Sequence, residues 1–200
     1  MRKIIFEAAI SLDGFIEGPD GDMDWLASDE QYDKQSCNTL DYFAGFDTIF
    51  YGRKAYEKFG MIPCVDDGIR WAEQAFCYSL KAMRKYVFSR TARHVAGNGM
   101  VISQNLEGEV RRIKAEDGKN IWFCGGADIL RTFSALDLVD EYILTVHPVL
   151  LGSGKPLFAQ GKKPLSLKLI DKHKLRSGLV TLHYQPESRL NLESHDGRSF

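Results

Sequence analysis

Two adjacent glycines between an apolar run and a helical pattern are the first residues suited to chemistry. Gly125 and Gly126 follow the apolar run Ile121–Cys124, and from Ala127 the apolar residues recur at helical spacing. Free backbone N–H groups at such a strand-to-helix junction, together with the positive end of the helix dipole, favour a bound phosphate. The same pattern is typical of a simple corner in an α/β protein, because glycine turns at little steric cost. Both interpretations stay open on this stretch alone.

Two further predicted strands end in residues that suit a phosphate. Asp47–Tyr51 and Lys85–Phe88 are short apolar segments. The residues that follow them are a glycine, a serine and three cations: Gly52, Arg53 and Lys54 after the first, Ser89 and Arg90 after the second. Because the C-terminal ends of parallel strands share one edge of a sheet, we expect these residues to converge with the glycine pair on one ligand. Arg53 is the strongest single candidate, since arginine forms charge-assisted hydrogen bonds with phosphate.

The loop between Leu12 and Trp25 carries two candidates for substrate contact. It is rich in Asp and Gly, and loops of this length usually border a site. Asp13 either orients a substrate hydroxyl and helps to deliver a proton, or is only the first residue of an Asp-Gly turn. Trp25 either stacks on a heterocycle or pins the loop to the core.

The order of the predicted elements indicates the fold class. A strand at Lys3–Ile10 opens the chain, strands and helices then alternate, and the last three predicted strands follow one another: Glu141–Val149, Lys168–Leu175 and Leu179–Tyr184. The helices include one from the N-cap Ser28 to Gly45, one at Trp71–Met83 and one capped by Asn105. This order favours an α/β fold with a mostly parallel central sheet, antiparallel C-terminal strands and flanking helices.

Length and composition indicate one domain with a short tail. The 200 residues are 44% hydrophobic, which suits a single domain at 1–186 followed by a polar tail at 187–200. The 26 basic and 27 acidic residues give a net charge of −1, which argues against a general affinity for nucleic acid or anionic membrane. No segment approaches the ~20 apolar residues of a membrane span. We therefore expect a small-molecule substrate.

Cysteine and histidine usage indicates the compartment and the absence of a metal site. The four cysteines form no C-x-x-C pair, which fits a reducing cytoplasm. The five histidines are scattered, so no metal site is indicated. The run Gly152–Lys155 has the composition of a phosphate loop, but Pro156 stands where a hydroxyl is needed, so we predict a tight turn.

Five segments of the chain resemble the dihydrofolate reductase superfamily. The branch they resemble more closely is similar to the C-terminal reductase domain of bacterial bifunctional riboflavin biosynthesis proteins. In order, the segments are AAISLDGFI, FYGRKAYE, FSR, WFCGGADIL and YILTVHPVLLGSGKPLF, and the resemblance extends from Arg2 to about Tyr184. It implies a dihydrofolate-reductase-like fold and a reductase that uses NADPH.

The resemblance also implies a role for each matched cofactor position. Ala9 and Ile16 match the nicotinamide pocket, Gly52, Arg53 and Lys54 the first phosphate-binding turn, Ser89 and Arg90 the ribose 2′-phosphate site, and Gly125, Gly126 and Ala127 the pyrophosphate turn. The chain departs from the family at Ala55, where Thr is common. The acid that faces the pterin in dihydrofolate reductases has no certain match, although Glu30 and Asp33 lie in the corresponding helix. A folate substrate is therefore not supported.

Two functions remain open from the sequence. The first is an NADPH-dependent reductase of a small heterocyclic, pterin- or pyrimidine-like, or carbonyl substrate, in which the cofactor carries the hydride. The alternative is a nucleotide-binding or scaffold protein that keeps the fold without turnover. A homodimer is plausible, because the last strands resemble those used for pairing in the riboflavin branch.

Overall fold

The structure, a computed structural model, describes residues 1–26, 42–61, 71–158 and 164–188, and of residues 71–76 it describes the backbone alone. Most of the helix predicted to start at Ser28 lies outside the described residues. The candidates Glu30 and Asp33 lie outside them too, as does most of the C-terminal tail.

Ten strands and four helices lie wholly within the described residues. The strands are β1 (Ile4–Ser11), β2 (Phe15–Glu17), β3 (Phe46–Gly52), β4 (Arg84–Phe88), β5 (Met100–Ile102), β6 (Asn120–Cys124), β7 (Glu141–His147), β8 (Lys155–Pro156), β9 (Leu167–Lys174) and β10 (Val180–Pro186). The helices are α1 (Arg53–Phe59), α2 (Trp71–Ala82), α3 (Leu106–Ala115) and α4 (Ala127–Ala135).

Eight of these strands form one sheet in the order β5-β4-β3-β6-β1-β7-β10-β9. Neighbouring strands from β5 to β7 are parallel, whereas β10 is antiparallel to both β7 and β9. The predicted mostly parallel sheet with antiparallel C-terminal strands is therefore confirmed. This order brings the C-terminal ends of β3, β4, β6, β1 and β7 to the same edge.

β6 lies at the centre of the sheet and is buried on both faces. Phe123 packs on one face against Phe133 of α4, with ring centroids 4.4 Å apart. Trp122 packs on the opposite face against Phe43, with ring centroids 5.2 Å apart. Because both faces are covered, the strand needs no polar alternation, which explains its uninterrupted apolar run.

A second sheet, which the sequence did not predict, joins two distant segments. β2 lies within the predicted loop between Leu12 and Trp25. It pairs antiparallel with β8, which begins at Lys155, the last residue of the predicted turn. The two backbones approach so closely that a Cβ built on Gly154 would lie 2.2 Å from the carbonyl oxygen of Glu17. Strands of two or three residues leave no periodicity that a sequence pattern reveals.

The predicted side-chain cap of α3 is wrong. Asn105 occupies the N-cap position, but its φ of 46° and ψ of 45° are left-handed, and its side chain makes no capping hydrogen bond. Side-chain caps normally need an extended N-cap residue. The amide of Asn105 instead lies over Gly108, where a built Cβ would be 2.4 Å from it. Glu107 and Glu109 in the first turn are placed to complement the helix dipole.

Candidate functional site

A cleft of about 1690 Å³ lies at the edge where the parallel strands end. Each of the three predicted strand ends contributes residues to its wall. Nine of the ten predicted cofactor positions line it, namely Ala9, Ile16, Gly52, Arg53, Lys54, Ser89, Arg90, Gly125 and Gly126. The structure thus brings these positions together, while their role as cofactor ligands stays a prediction.

The tenth position, Ala127, begins α4 and is not among the described residues that line the cleft. Its side chain is buried in the core beside Leu130. The first hydrogen bond of the helix runs from the Leu130 N–H to the Gly126 carbonyl oxygen, at 3.1 Å. Because the N–H groups before it have no acceptor within the helix, the first turn presents free donors at this edge.

Packing explains why residue 125 is a glycine, but it does not explain why residue 126 is one. A Cβ built on Gly125 would lie 2.6 Å from Cγ2 of Ile129, so the close packing of α4 on β6 requires glycine there. A Cβ built on Gly126 would meet nothing closer than 3.9 Å. Gly126 has φ −80° and ψ 179°, an extended conformation that any residue adopts. Neither conformation nor packing requires Gly126, and its missing side chain leaves room in the cleft.

Several cations line the cleft, although the chain as a whole carries a net charge of −1. The described lining residues with a positive side chain are Arg53, Lys54, Lys58, Arg90, Arg131 and Lys155. Arg53 donates to Glu57 one helical turn away, Nη1 to Oε1 3.3 Å, and both side chains are exposed. Arg90 makes no hydrogen bond or ion pair with the part of the chain that the structure describes. Such exposed cations suit an anionic ligand.

Lys155 lines the cleft, although the sequence predicted only a tight turn at this position. Its Nζ lies 3.2 Å from Oδ2 of Asp128, and this hydrogen bond lowers the pKa of the Asp128 carboxyl. A Cβ built on Gly126 would be 4.0 Å from the same Nζ, so the ammonium group lies beside the mouth of α4. The glycines before Lys155 were a usable signal, but Pro156 argued against the phosphate-loop interpretation.

Ser89 stabilises the turn after β4. Its Oγ accepts hydrogen bonds from the backbone N–H of Ala92 at 2.9 Å and of Thr91 at 3.3 Å. Its own N–H donates to the carbonyl oxygen of Ile102 at 3.1 Å. The hydroxyl proton of Ser89 stays available as a donor, because both side-chain contacts use the oxygen as acceptor.

Glu7 is a second lining residue that was not among the predicted site residues. Its Oε2 accepts hydrogen bonds from Oη of Tyr42 and Nε1 of Trp122, each 2.9 Å long. Burial raises the pKa of the Glu7 carboxyl. A charged residue in the middle of an otherwise apolar strand was the signal that could have identified it.

Trp25 packs at the end of β7 and is not among the described residues lining the cleft. Its ring meets that of His147 edge to face, with centroids 5.4 Å apart. Nε1 of Trp25 and Nδ1 of His147 are both buried without a hydrogen-bond partner among the described residues. Burial also lowers the pKa of His147, which does line the cleft. These contacts fit the interpretation that Trp25 pins the loop, and a stacking role stays a prediction.

Asp13 joins the loop after β1 to the segment after β7. Its carboxylate accepts hydrogen bonds from the N–H groups of Gly152 at 2.7 Å and Leu151 at 3.2 Å, and from Oγ of Ser11 at 2.6 Å. The bond from Ser11 is the main cause that lowers the Asp13 pKa. Asp13 is not among the described lining residues, so these contacts fit the turn interpretation, and its catalytic role stays a prediction.

Comparisons with known proteins agree with this architecture. The family described as the RibD C-terminal domain matches residues 2–181. The uncharacterized protein YyaP of Bacillus subtilis (strain 168) is 39% identical over 184 residues, which are 92% of this chain and 94% of YyaP. The uncharacterized protein YwjB of the same organism is 34% identical over 185 residues, 92% of this chain and 97% of YwjB.

Solved structures share the fold at lower identity. A crystal structure of a riboflavin biosynthesis protein from Shewanella sp. PV-4 has a TM-score of 0.74 at 23% identity and covers 94% of this chain and 99% of its own. A protein from Thermotoga maritima is named as a diaminohydroxyphosphoribosylaminopyrimidine deaminase/5-amino-6-(5-phosphoribosylamino)uracil reductase. Its structure has a TM-score of 0.63 at 16% identity and covers 92% of this chain, which spans 56% of that protein. Dihydrofolate reductase from Enterococcus faecalis, complexed with NADP(H) and a ligand, has a TM-score of 0.60 at 13% identity and covers 92% and 96%. Within the described ranges, no helix is both long and apolar enough to cross a membrane.

Proposed function

Because the chain belongs to the RibD C-terminal domain family, we propose that it is an NADPH-dependent reductase of a small heterocyclic, pterin- or pyrimidine-like, or carbonyl substrate. Gly126 carries this proposal. It is a glycine that neither backbone conformation nor packing requires, at the start of a helix whose first N–H groups have no intrahelical acceptor. Space and donors at one point are what a pyrophosphate needs.

The cations of the cleft would bind the two kinds of phosphate group in the cofactor, the ribose 2′-phosphate and the pyrophosphate. Arg53 and Arg90, with the hydroxyl of Ser89, would hold the ribose 2′-phosphate, since they end neighbouring strands β3 and β4. Lys155 would add a cation beside the pyrophosphate, where its present partner is Asp128. Charge-assisted bonds of this kind contribute roughly 1.5–3 kcal/mol each.

The nicotinamide would lie farther along the cleft, against Ala9 of β1 and the buried side chain of Ile16 of β2. NADPH supplies a hydride when bound. The residues of the chain then have three tasks: to bind the substrate beside that end, to orient it, and to keep water out. Small and apolar side chains at Ala9 and Ile16 suit the flat face of an aromatic ring.

The named neighbours support a reductase without fixing the substrate. The Thermotoga maritima protein is named in part as a 5-amino-6-(5-phosphoribosylamino)uracil reductase, and the Enterococcus faecalis protein was solved with NADP(H). Ala55 on α1 and the lack of a certain match to the pterin-facing acid motivate the alternative, a nucleotide-binding or scaffold protein without turnover. Both candidates bind the cofactor, so cofactor binding does not distinguish between them. Turnover must therefore be measured separately.

A two-step experiment tests the proposal. NADPH and NADH are first titrated in a thermal melt, because a ligand at 100 times its dissociation constant stabilises the fold by about 2.7 kcal/mol. We expect a larger shift with NADPH, and no shift with either dinucleotide would reject the proposal. NADPH oxidation is then followed against pterins, pyrimidines, quinones and carbonyls. Binding without oxidation of NADPH by any of them would favour the non-catalytic alternative.

The expected homodimer and cytoplasmic location remain proposals. β9 is an edge strand of the large sheet, and Leu169 and Ile170 on it are 42% and 41% exposed. An edge with exposed apolar residues is suited to pairing with another chain. Light scattering at several protein concentrations tests this, and a mass of one chain throughout would exclude the dimer.

A further inference from the structure

Two aromatic side chains at the end of β7 each have one buried nitrogen without a partner. The rings of Trp25 and His147 meet edge to face, with an interplanar angle of 88°. Nε1 of Trp25 and Nδ1 of His147 make no hydrogen bond with the described residues. A buried polar group without a partner is costly, because it has lost its water. Since the two nitrogens lie on rings in contact, one N–H···N bond between them would satisfy both.

Only one form of His147 allows that bond. The indole nitrogen of Trp25 donates and never accepts, so Nδ1 of His147 must be the acceptor. In a neutral imidazole one ring nitrogen carries the proton and the other accepts, and burial lowers the pKa of His147, which favours the neutral ring. The hydrogen bond at one nitrogen determines where the proton lies, which here is Nε2.

Nε2 is the nitrogen of His147 that reaches the cleft. The side chain lines the cleft although only 6% of the residue is exposed. Within the described ranges Nε2 makes no hydrogen bond, yet it is not among the fully buried atoms that lack a partner, whereas Nδ1 is. Nε2 therefore belongs to the small exposed part of the ring, and it can meet a ligand in the cleft.

His147 lies beside the place proposed for the nicotinamide. Its register partner on β1 is Ser11, two residues beyond Ala9, whose own partner is Thr145. Because side chains alternate along a strand, Ala9 and His147 face the same side of the sheet. Two residues along a strand and one step between strands put the two Cα atoms roughly 8 Å apart. A ligand that contacts a nicotinamide at Ala9 would therefore also lie within reach of His147.

A reduction at this place needs a donor of the kind that an imidazole N–H provides. Hydride addition from NADPH to the carbon of a C=O or C=N bond moves the π electron pair to the oxygen or nitrogen, which then takes a proton from water. Negative charge develops on that atom before the proton arrives. A fixed N–H aimed at the atom stabilises this charge, and the donor keeps its own proton throughout.

We propose that Trp25 holds His147 in the Nε2–H tautomer by donating from Nε1 to Nδ1, and that Nε2–H donates to the substrate atom that gains negative charge during reduction. His147 is then a catalytic residue of the cleft, and Trp25 is the residue that positions its proton. This inference rests on the proposed reductase function and adds these two roles to the same site.

Nuclear magnetic resonance of the ¹⁵N-labelled chain tests the tautomer. A coupling across the hydrogen bond between Nε1 of Trp25 and Nδ1 of His147 detects the bond directly, and the ¹⁵N shifts of the ring show which nitrogen carries the proton. His147→Gln identifies the signals of His147 by their loss. We expect the coupling, and a proton on Nε2, in the wild type. Trp25→Phe keeps an aromatic ring but has no N–H, so it should show both tautomers.

Single-turnover kinetics test the catalytic role. NADPH oxidation is followed with the compound of the panel above that the wild type reduces fastest, so that the hydride step is measured apart from product release. His147→Ala should slow this step about a hundredfold, as the removal of one such donor does. Its affinity for NADPH should stay as in the wild type. His147→Gln should recover part of the rate, because its amide group also offers an N–H.

Trp25→Phe and a second histidine complete the comparison. Trp25→Phe should slow the hydride step less than His147→Ala, since the Nε2–H form is still partly populated. His173→Gln is the matched control, because His173 also lines the cleft but is exposed on β9. It should keep the wild-type rate. Thermal melts of all variants show whether each one is folded.

Three results would overturn the inference. They are a proton on Nδ1 in the wild type, an unchanged hydride step in His147→Ala, and a Trp25→Phe variant with the tautomer and rate of the wild type. All three can occur while NADPH binds and is oxidised, so they leave the proposed reductase intact. If no compound of the panel oxidises NADPH, the reductase fails and the catalytic role of His147 fails with it. The resonance spectrum still decides in that case whether Trp25 and His147 are bonded.

Discussion

Gly125 packs directly under Ile129, with no room for a side chain between them: a Cβ at Gly125 would be 2.6 Å from Cγ2 of Ile129 and 2.6 Å from the ring of Phe123. We expect Gly125→Ala to destabilise the fold by about 1–3 kcal/mol, because overpacking a close contact forces neighbours to move. Urea denaturation measures the change. Adding Ile129→Ala should recover part of the loss, and a variant as stable as the wild type would contradict the packing argument.

Gly126 gives the opposite prediction at the adjacent position. Gly126→Ala should leave the fold unchanged or stabilise it by about 0.4–1 kcal/mol, because alanine fits its extended backbone and restricts the unfolded chain. The new methyl group enters the space proposed for pyrophosphate, so NADPH affinity should fall by about tenfold or more, which is ~1.4 kcal/mol. Calorimetric titration with NADPH measures it. Unchanged affinity would remove Gly126 from the proposed site.

Arg53 should determine the preference for the phosphorylated dinucleotide. We expect Arg53→Ala to weaken NADPH binding about tenfold and NADH binding much less, since only NADPH offers the 2′-phosphate. The control is Arg111→Ala, which removes a similarly exposed arginine from the surface of α3, where it pairs with Glu107. Equal losses for NADPH and NADH would place Arg53 elsewhere on the cofactor.

Glu7 should make the stability of the fold depend on pH. Burial raises its folded-state pKa above the ordinary 4.5, so the folded chain holds the proton more tightly than the unfolded chain. The wild type therefore loses stability as the pH rises from 4.5 to the raised pKa of folded Glu7, whereas the glutamine in Glu7→Gln does not titrate. We expect the variant to be the more stable protein at pH 7 and the advantage to vanish below pH 4.5. Thermal melts across this range measure it, and an advantage independent of pH would contradict the assignment.

Glu141 should show the reverse dependence. It is buried, accepts from Nζ of Lys3 at 2.9 Å, and lies 2.8 Å from Nε2 of His183. The bond with His183 is the main cause that lowers its pKa, so its contribution is present above the ordinary value of 4.5 and is lost as the pH falls through the folded-state value. Glu141→Gln should cost about 1.5–3 kcal/mol at pH 7 and less at pH 4.

The comparison for Glu141 is an exposed glutamate. Glu107→Gln on the surface of α3 should change the free energy of unfolding by no more than about 0.5 kcal/mol at either pH. Urea denaturation of both variants at pH 7 and pH 4 decides the matter. A cost for Glu141→Gln that is the same at both pH values would show that the charge of Glu141 contributes nothing.

The sheet could be predicted because its signals are local. Three signals lie within a few residues of one another: the apolar run that contains Trp122 and Phe123, the two glycines after it, and the helical spacing of apolar residues that follows. Strand boundaries predicted in this way agree with the structure to within two residues for β1, β3, β6, β7, β9 and β10. The convergence of the strand ends then follows from the parallel order alone.

The remaining parts of the site depend on contacts between distant segments. Glu7 meets Tyr42 and Trp122 from 35 and 115 residues away, and nothing in the local pattern specifies either partner. The interpretation of Asp13 as a turn residue needed Gly152, which lies 139 residues farther along the chain. Such contacts form only when the sheet brings the segments together, so sequence spacing cannot reveal them.

The bond from Gly152 to Asp13 and the pairing of β2 with β8 have a mechanical consequence. The N–H of Leu12 also donates a 2.8 Å hydrogen bond to the carbonyl oxygen of Val149. These contacts connect the segment that follows β1 to the segment that follows β7 at several points on one side of the cleft. The two segments form a single rim, although most of the sequence separates them. A ligand that enters past this rim must either fit the shape that the rim has in this structure or displace both segments at once.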